Sequence, residues 1–259
     1  WHAPLRPLLR LPRAYVTFHG YEGWPIPREA LRVRRWVRRA CAGALCAGGF
    51  IPRWYGTACD AVTYGGVDLP SAPPPEEPEA RAVFVGRLEP DTGILDYLCL
   101  LALARQTHGL ELPLDVCGDG SLRAEVRRVA TAAGLSLRMH GGVEDPTRFL
   151  LGARFALVSG YLAMWEAMAC GALVLALYDN PLKRDYLEAF PPARAGGEAG
   201  PLVEVRGSPA EGADRLAWLM AHPEEMRARA AAARALAAEQ TWRRVAEQYL
   251  ALWSEGMGR

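Results

Sequence analysis

The chain has 259 residues, 51% of them apolar and 23% charged, the composition of a soluble globular protein of one large or two ordinary domains. Its net charge of +1 gives no argument for a nucleic-acid partner, and none is expected. No apolar run reaches the roughly 18 residues that a membrane-spanning helix needs. Cys41, Cys46, Cys59, Cys99, Cys117 and Cys170 form no CxxC pair and lie beside no histidine at metal-ligand spacing. They are expected to be buried thiols of a reducing compartment. The chain opens at Trp1 rather than Met and is expected to be a fragment that lacks its N-terminal part.

In chain order, Ala14-Tyr15-Val16-Thr17-Phe18 is a β-branched and aromatic run that predicts a strand. It delivers His19 to a strand's carboxyl end, where ligands of open α/β sheets collect; a purely structural histidine is the competing reading. A helix is expected from Pro27 to Ala40, with Arg28, Arg32, Arg35 and Arg39 on one face and Arg34 and Arg38 beside it. That face reads either as solvated or as a contact with an anionic membrane surface or lipid phosphate. Two short strands follow at Gly43-Ala44-Leu45-Cys46 and Ala61-Val62-Thr63-Tyr64, with a helical turn at Pro52–Tyr55. Pro70 to Pro78 holds five prolines beside Glu76 and Glu77, the composition of a semi-rigid linker and a domain boundary.

Beyond it βα alternation begins. Strands are expected at Arg81–Val85, Leu114–Cys117, Leu135–His140, Phe155–Val158 and Ala172–Leu177. Helices are expected at Ile94–His108, from the Gly118-Asp119-Gly120-Ser121 cap to Ala133, from Asp145, and from Asp179-Asn180-Pro181 to Ala189. Pro191 to Pro201 reads as a loop, and two or three Ala/Arg-rich helices run on to Trp253. Between two of these elements, Ser159-Gly160 makes a tight turn into a helix from Leu162 to Cys170, with Ser159 as its expected cap and Gly171 as its stop. Strand, glycine turn and helix present free backbone N–H groups and a positive dipole end, which suits a phosphate. Glu166 lies one turn inside that helix on an apolar background, where a buried carboxylate needs a partner. Arg87 follows a strand end and can grip a diphosphate through two parallel hydrogen bonds.

Other chemistries fit less well. There is no G-x-S-x-G elbow, H-E-x-x-H or P-loop. Gly118-Asp119-Gly120 lacks the third glycine of a dinucleotide fingerprint. Backbone amides, Arg87, Glu166 and His19 together suit group transfer from a nucleotide with a diphosphate leaving group.

Several stretches then match a family: Phe18-His19-Gly20, Gly66-Val67-Asp68, Val85-Gly86-Arg87-Leu88, Cys117-Gly118-Asp119-Gly120, Glu166-Ala167-Met168-Ala169-Cys170-Gly171, and Thr241-Trp242 with Tyr249-Leu250. The chain from about Thr17 to Trp253 resembles the family 4 glycosyltransferases, retaining enzymes of the GT-B fold. The resemblance implies an α/β architecture with a Rossmann-like parallel-sheet C-terminal domain and a partial N-terminal α/β domain. It divides the chain into residues 1–70 (a partial, acceptor-side Rossmann-like domain), a linker at 71–80, a nucleotide-sugar-binding domain at 81–240, and a closing helix at 241–259. By the same resemblance Glu166 holds the donor ribose and Arg87 neutralises the leaving diphosphate, aided by Gly86, Gly118 and the amides of Ser159, Gly160, Tyr161 and Leu162. His19 touches the donor sugar, and Gly142 and Val143 flank the base. It implies a nucleotide-diphosphate-sugar donor, a glycan, lipid or small-molecule acceptor, no cofactor and no metal, at the cytoplasmic side with peripheral membrane contact.

The chain departs from the pattern at three positions. Val158 occupies the place of the family's first glutamate, Thr92 that of its lysine, and Gly65 that of its asparagine. Lys183, the single lysine of the chain, is a candidate to replace the lost positive charge, with a surface lysine as the alternative. The departures at Val158 and Thr92 keep open a non-catalytic nucleotide-sugar-binding subunit, and a GT-B nucleotide-sugar epimerase is a third, less favoured alternative.

Overall fold

A computed structural model describes residues 14–20, 23–196 and 200–257, and these form two compact units: the described residues up to 66 with those from 242 on, and the described residues between 67 and 241. Among the described residues no helix is long and apolar enough to cross a membrane.

In the first unit β1 (Tyr15–Phe18), β2 (Gly43–Ala47) and β3 (Ala61–Thr63) form a parallel sheet in that order, joined through α1 (Arg28–Ala40) and α2 (Phe50–Tyr55). Parallel neighbours need such crossovers, and helix-covered strands read as continuous apolar runs, as in Ala44-Leu45-Cys46, all fully buried. The last helix of the chain, α10 (Trp242–Met257), packs on β2 and β3, and Tyr249 bonds Thr17 (Oη to Oγ1, 3.0 Å). Two readings of the sequence are corrected here. Cys46 and Cys59 are joined as a disulfide (Cα–Cα 6.0 Å), because the chain entering β3 runs beside β2, and Cys99 is exposed; among the described cysteines only Cys117 and Cys170 are buried free thiols. Arg34 is not part of a solvated stripe: it is buried, lies 4.0 Å over the Tyr55 ring, and donates to the His19 carbonyl at 2.9 Å. Arg38 is held by Asp60 at 3.1 Å, whereas Arg28, Arg32, Arg35 and Arg39 are exposed.

The second unit is built on β4 (Glu79–Val85), β5 (Leu114–Cys117), β6 (Leu137–Gly141), β7 (Ala153–Leu157), β8 (Leu173–Leu177) and β9 (Val203–Arg206). The sheet is wholly parallel, in the order β6-β5-β4-β7-β8-β9. Helices α3 (Ile94–His108), α4 (Arg123–Ala132) and α8 (Pro209–Ala221) pack together over the main apolar core. Helices α5 (Thr147–Leu150), α6 (Tyr161–Ala169) and α9 (Pro223–Glu239) form a second packed group. Helix α7 (Pro181–Glu188) sits against β9. Side chains of Phe84, Leu98, Leu114, Phe155, Leu175 and Leu216 are almost completely removed from water, each worth roughly 1.5–3 kcal/mol of burial.

The edge strand β9 was not anticipated. Its Val-Glu-Val-Arg alternation is short and directly follows a Pro/Gly segment, so its neighbours mask it; register with Val174–Leu177 of β8 makes it a strand. Two buried carboxylates knit the unit. Asp115 on β5 meets Arg81 at 3.2 Å, Arg138 at 3.0 Å and His140 at 2.8 Å. Glu204 on β9 meets Arg206 at 2.6 Å, Arg215 of α8 at 2.7 Å and Arg229 of α9 at 2.7 Å. Each anion has enough cationic partners to offset its removal from water.

Candidate functional site

The strand order places the topological switch between β4 and β7, whose connections leave the sheet in opposite directions and open a crevice outside their carboxyl ends. The turns after β4, β5, β7 and β8 line this edge. The glycines of the first two are required by close approach: a Cβ on Gly118 would lie 1.8 Å from the Gly86 carbonyl oxygen, and one on Gly120 would lie 2.5 Å from that of Leu88. The two turns lock together through Leu88 N–H donating to Asp119 O (2.9 Å) and through Ser121, whose N–H and Oγ–H both donate to the Glu89 carboxylate (2.9 and 2.6 Å). Ser121 therefore serves the neighbouring turn and does not cap α4, whose N-cap residue is Leu122.

Arg87 rises from the β4 turn into solvent, its side chain 68% exposed and paired with Asp91 at 2.7 Å. Lys183 comes from the other side of the crevice. Asn180 caps α7, accepting the Lys183 N–H at 2.8 Å, and so directs that first turn. The Lys183 side chain is buried, lies 5.0 Å from the Tyr186 ring, and is within electrostatic reach of Asp91, Asp179 and Arg87. Burial pulls its ammonium down to about 8, against the opposing pull of Asp91 and Asp179. It is not a surface lysine. Thr92, at the position of the family's lysine, ends a single helical turn at Pro90–Thr92 and spends its hydroxyl on the Glu89 carbonyl.

The N-terminus of α6 is tied to the turn that carries Thr92 and to Tyr186 of α7. Ser159 is not its cap: Gly160 is, without a side-chain bond, and the buried Ser159 hydroxyl donates instead to the Thr92 carbonyl at 3.4 Å. The Tyr161 N–H is taken by the Tyr186 hydroxyl at 3.1 Å, and the two rings stack 4.1 Å apart. Leu162, half exposed, lies next in this first turn, where backbone N–H groups lack acceptors one turn earlier in the helix. Glu166, one turn on, is half buried, and among the described residues its carboxylate has no hydrogen-bond or ion partner. Burial and the nearby Asp145 push its carboxyl above the ordinary glutamate range. Asp145 itself is held low by hydrogen bonds from Thr147.

The structure thus brings together Gly86, Arg87, Gly118, Ser159, Gly160, Tyr161, Leu162, Glu166 and Lys183 along the carboxyl edge of one sheet, with Gly142 and the half-buried Val143 in the turn after β6 on the same edge. His19 lies in the first unit, exposed at the carboxyl end of β1. The sequence reading missed Asp91, which competes for Arg87, and Asp179 and Tyr186. The carboxylates follow strand-to-helix turns already singled out; Tyr186 carried no signal, because its role depends on α7 packing beside α6.

Solved structures with the same fold share little sequence. TarM from S. aureus superposes with a TM-score of 0.72 at 15% identity, over 93% of this chain and 50% of that one. The pneumococcal O-GlcNAc transferase GtfA gives 0.70 at 12% identity, over 95% and 53%. Anabaena HepE gives 0.72 at 15% identity, over 92% and 72%. The chain therefore spans about half the length of TarM and GtfA. A search of the curated proteins found no match. The parallel-sheet architecture is that of the GT-B glycosyltransferases, and the family model for glycosyl transferases group 1 matches residues 69–236. The chain belongs to the group 1 glycosyl transferases.

Proposed function

We propose that this chain supplies the donor-binding half of a glycosyltransferase that moves a sugar from a nucleotide-diphosphate sugar to a glycan, lipid or small-molecule alcohol, retaining the anomeric configuration as family 4 enzymes do. The observation that carries the reading is Glu166: a half-buried carboxylate with no hydrogen-bond or ion partner among the described residues, one turn inside a helix on the same sheet edge as Arg87 and Lys183. A carboxylate left unpaired at such a place is suited to accept the hydroxyls of a ribose. Arg87, Lys183 and the α6 terminus supply the positive charge that a departing diphosphate needs, without routing a step through a metal. Val143 and Gly142 flank the base.

In the reaction the bond from the anomeric carbon to the phosphate oxygen breaks. The acceptor oxygen bonds to that carbon on the same face, and the acceptor proton passes to the leaving phosphate. Neighbours of this fold were crystallised with UDP, which makes UDP the first probe. A thermal-shift panel of UDP, GDP, ADP and their sugars tests the site: a ligand at a hundred times its Kd should stabilise by about 2.7 kcal/mol. Transfer assays follow with the preferred donor. Binding of no nucleoside diphosphate, together with no transfer or hydrolysis of any nucleotide sugar, sinks the proposal.

A second reading, a nucleotide-sugar binder without turnover, is supported by Val158. It is fully buried where the family has a carboxylate. Turnover that disappears in Glu166→Ala removes it. We also propose peripheral contact with an anionic membrane face on the cytoplasmic side, through the exposed Arg28, Arg32, Arg35 and Arg39. Equal pelleting with neutral and anionic liposomes would end that idea.

A further inference from the structure

The opposite, amino edge of the six-stranded sheet holds a cavity of about 490 Å³, within the range of small-molecule sites. Its floor is the start of β7 and β8, and α8 and α9 form a wall through Met220, Met226 and Ala230. Pro74 and Pro75 close it as a strap, seated on Gly171 and Gly152: a Cβ on Gly171 would lie 3.1 Å from the Pro74 ring. The lining is mainly apolar, with the exposed Glu76 and Glu77 at its rim and three arginines: Arg227, which is paired with Glu224, Arg154 and Arg234. Arg154 on β7 gives one N–H to the Pro78 carbonyl (2.7 Å), but its buried Nε has no acceptor. Arg234 of α9 is less provided for. Its Nε is buried without an acceptor, and among the described residues it has no hydrogen bond or ion pair.

The contrast with its own helix is sharp. Arg227 is paired with Glu224, and Arg229 with Glu225 and Glu204. The positions one turn either side of Arg234 are Ala230, Ala231, Ala237 and Ala238, so α9 offers it no carboxylate. Cys170, just past the end of α6, acts on it electrostatically, but burial, Glu166 and Asp145 push that thiol up to about 12, so it stays neutral. A guanidinium with a buried, unsatisfied N–H costs free energy in the empty protein, and a carboxylate is the group that matches it.

We propose that this cavity binds a small amphiphilic carboxylic acid, its carboxylate on Arg234 and its apolar body against Leu173, Met220 and Met226. The site is separate from the donor crevice, at the other end of α6, and does not depend on the function proposed above. Octanoate, its neutral analogue octanamide and inorganic phosphate serve as probes, titrated calorimetrically into the full chain. Octanoate should bind one to one, octanamide about tenfold or more weaker, and phosphate not measurably. Arg234→Met, which keeps the apolar stem, should reduce octanoate to the level of octanamide. Ala230→Phe, which fills the cavity, should abolish both, with circular dichroism melts showing that each variant folds. Octanoate that does not bind, that binds no better than octanamide, that is unaffected by Arg234→Met, or that UDP displaces would overturn the proposal.

Discussion

Three of the carboxylates that sit in or near the interior of residues 67–241, Asp115, Glu204 and Glu166, are treated differently. Asp115 and Glu204 are almost completely buried and surrounded by arginine or histidine; Glu166 is half buried and has nothing. The first two hold strands and helices together, so removing an anion leaves cations stranded. The third is satisfied by nothing within the described protein, so its cost is carried until a ligand arrives. The pattern separates charges that build the fold from charges that await a partner.

The comparison breaks most visibly at Glu204. Glu204→Ala strands Arg229 and Arg215 and should destabilise by about 3–5 kcal/mol, read as a fall in the urea midpoint, while UDP still binds whatever protein remains folded. Next come the cations of the crevice. Arg87→Ala and Lys183→Met should each weaken UDP binding by about 10- to 100-fold, with little change in thermal stability for the exposed Arg87 and a rise for the buried Lys183; loss of stability without loss of binding would reverse the assignment.

The third test uses pH. Lys183 titrates at about 8 in the folded protein, below its ordinary value, so the unfolded chain holds the proton more tightly between that pH and the usual lysine range. Unliganded stability should therefore rise with pH across this window, while UDP affinity falls as the ammonium is lost; Lys183→Met should flatten both. Glu166 gives the opposite sign. Its raised carboxyl penalises the ionised form, so stability falls as pH rises through its titration, and Glu166→Gln should raise the melting temperature while weakening nucleotide binding. A melting temperature lowered by that substitution would mean that Glu166 has a structural partner. The smallest effect is expected at Asp91, which occupies Arg87 and opposes a phosphate: Asp91→Asn should tighten UDP severalfold at low salt and less at high salt.

Much of this was legible in the chain. The strands Leu114–Cys117 and Leu173–Leu177 are apolar runs without competing periodicity, and the glycines at 86, 118 and 120 mark turns where backbones meet. Helix α7 announces itself through Asn180-Pro181, a cap followed by a residue suited to the first turn. The errors fall where local rules compete with packing. Ser159 and Ser121 both look like caps, yet each hydroxyl is drawn to a neighbouring turn that the sequence does not place beside it. The strand Val203–Arg206 exists because β8 offers an open edge.

Local sequence, then, determined where strands and helices alternate, where glycine turns fall and that a carboxylate stands inside the first turns of α6, because periodicity, capping and glycine geometry act over a few residues. Tertiary structure decided which charges are spoken for. Lys183 became a buried neighbour of Arg87, Arg34 a core residue, Cys46 a partner of Cys59, and Arg234 an unsatisfied cation, because burial and pairing depend on side chains brought together from distant parts of the chain.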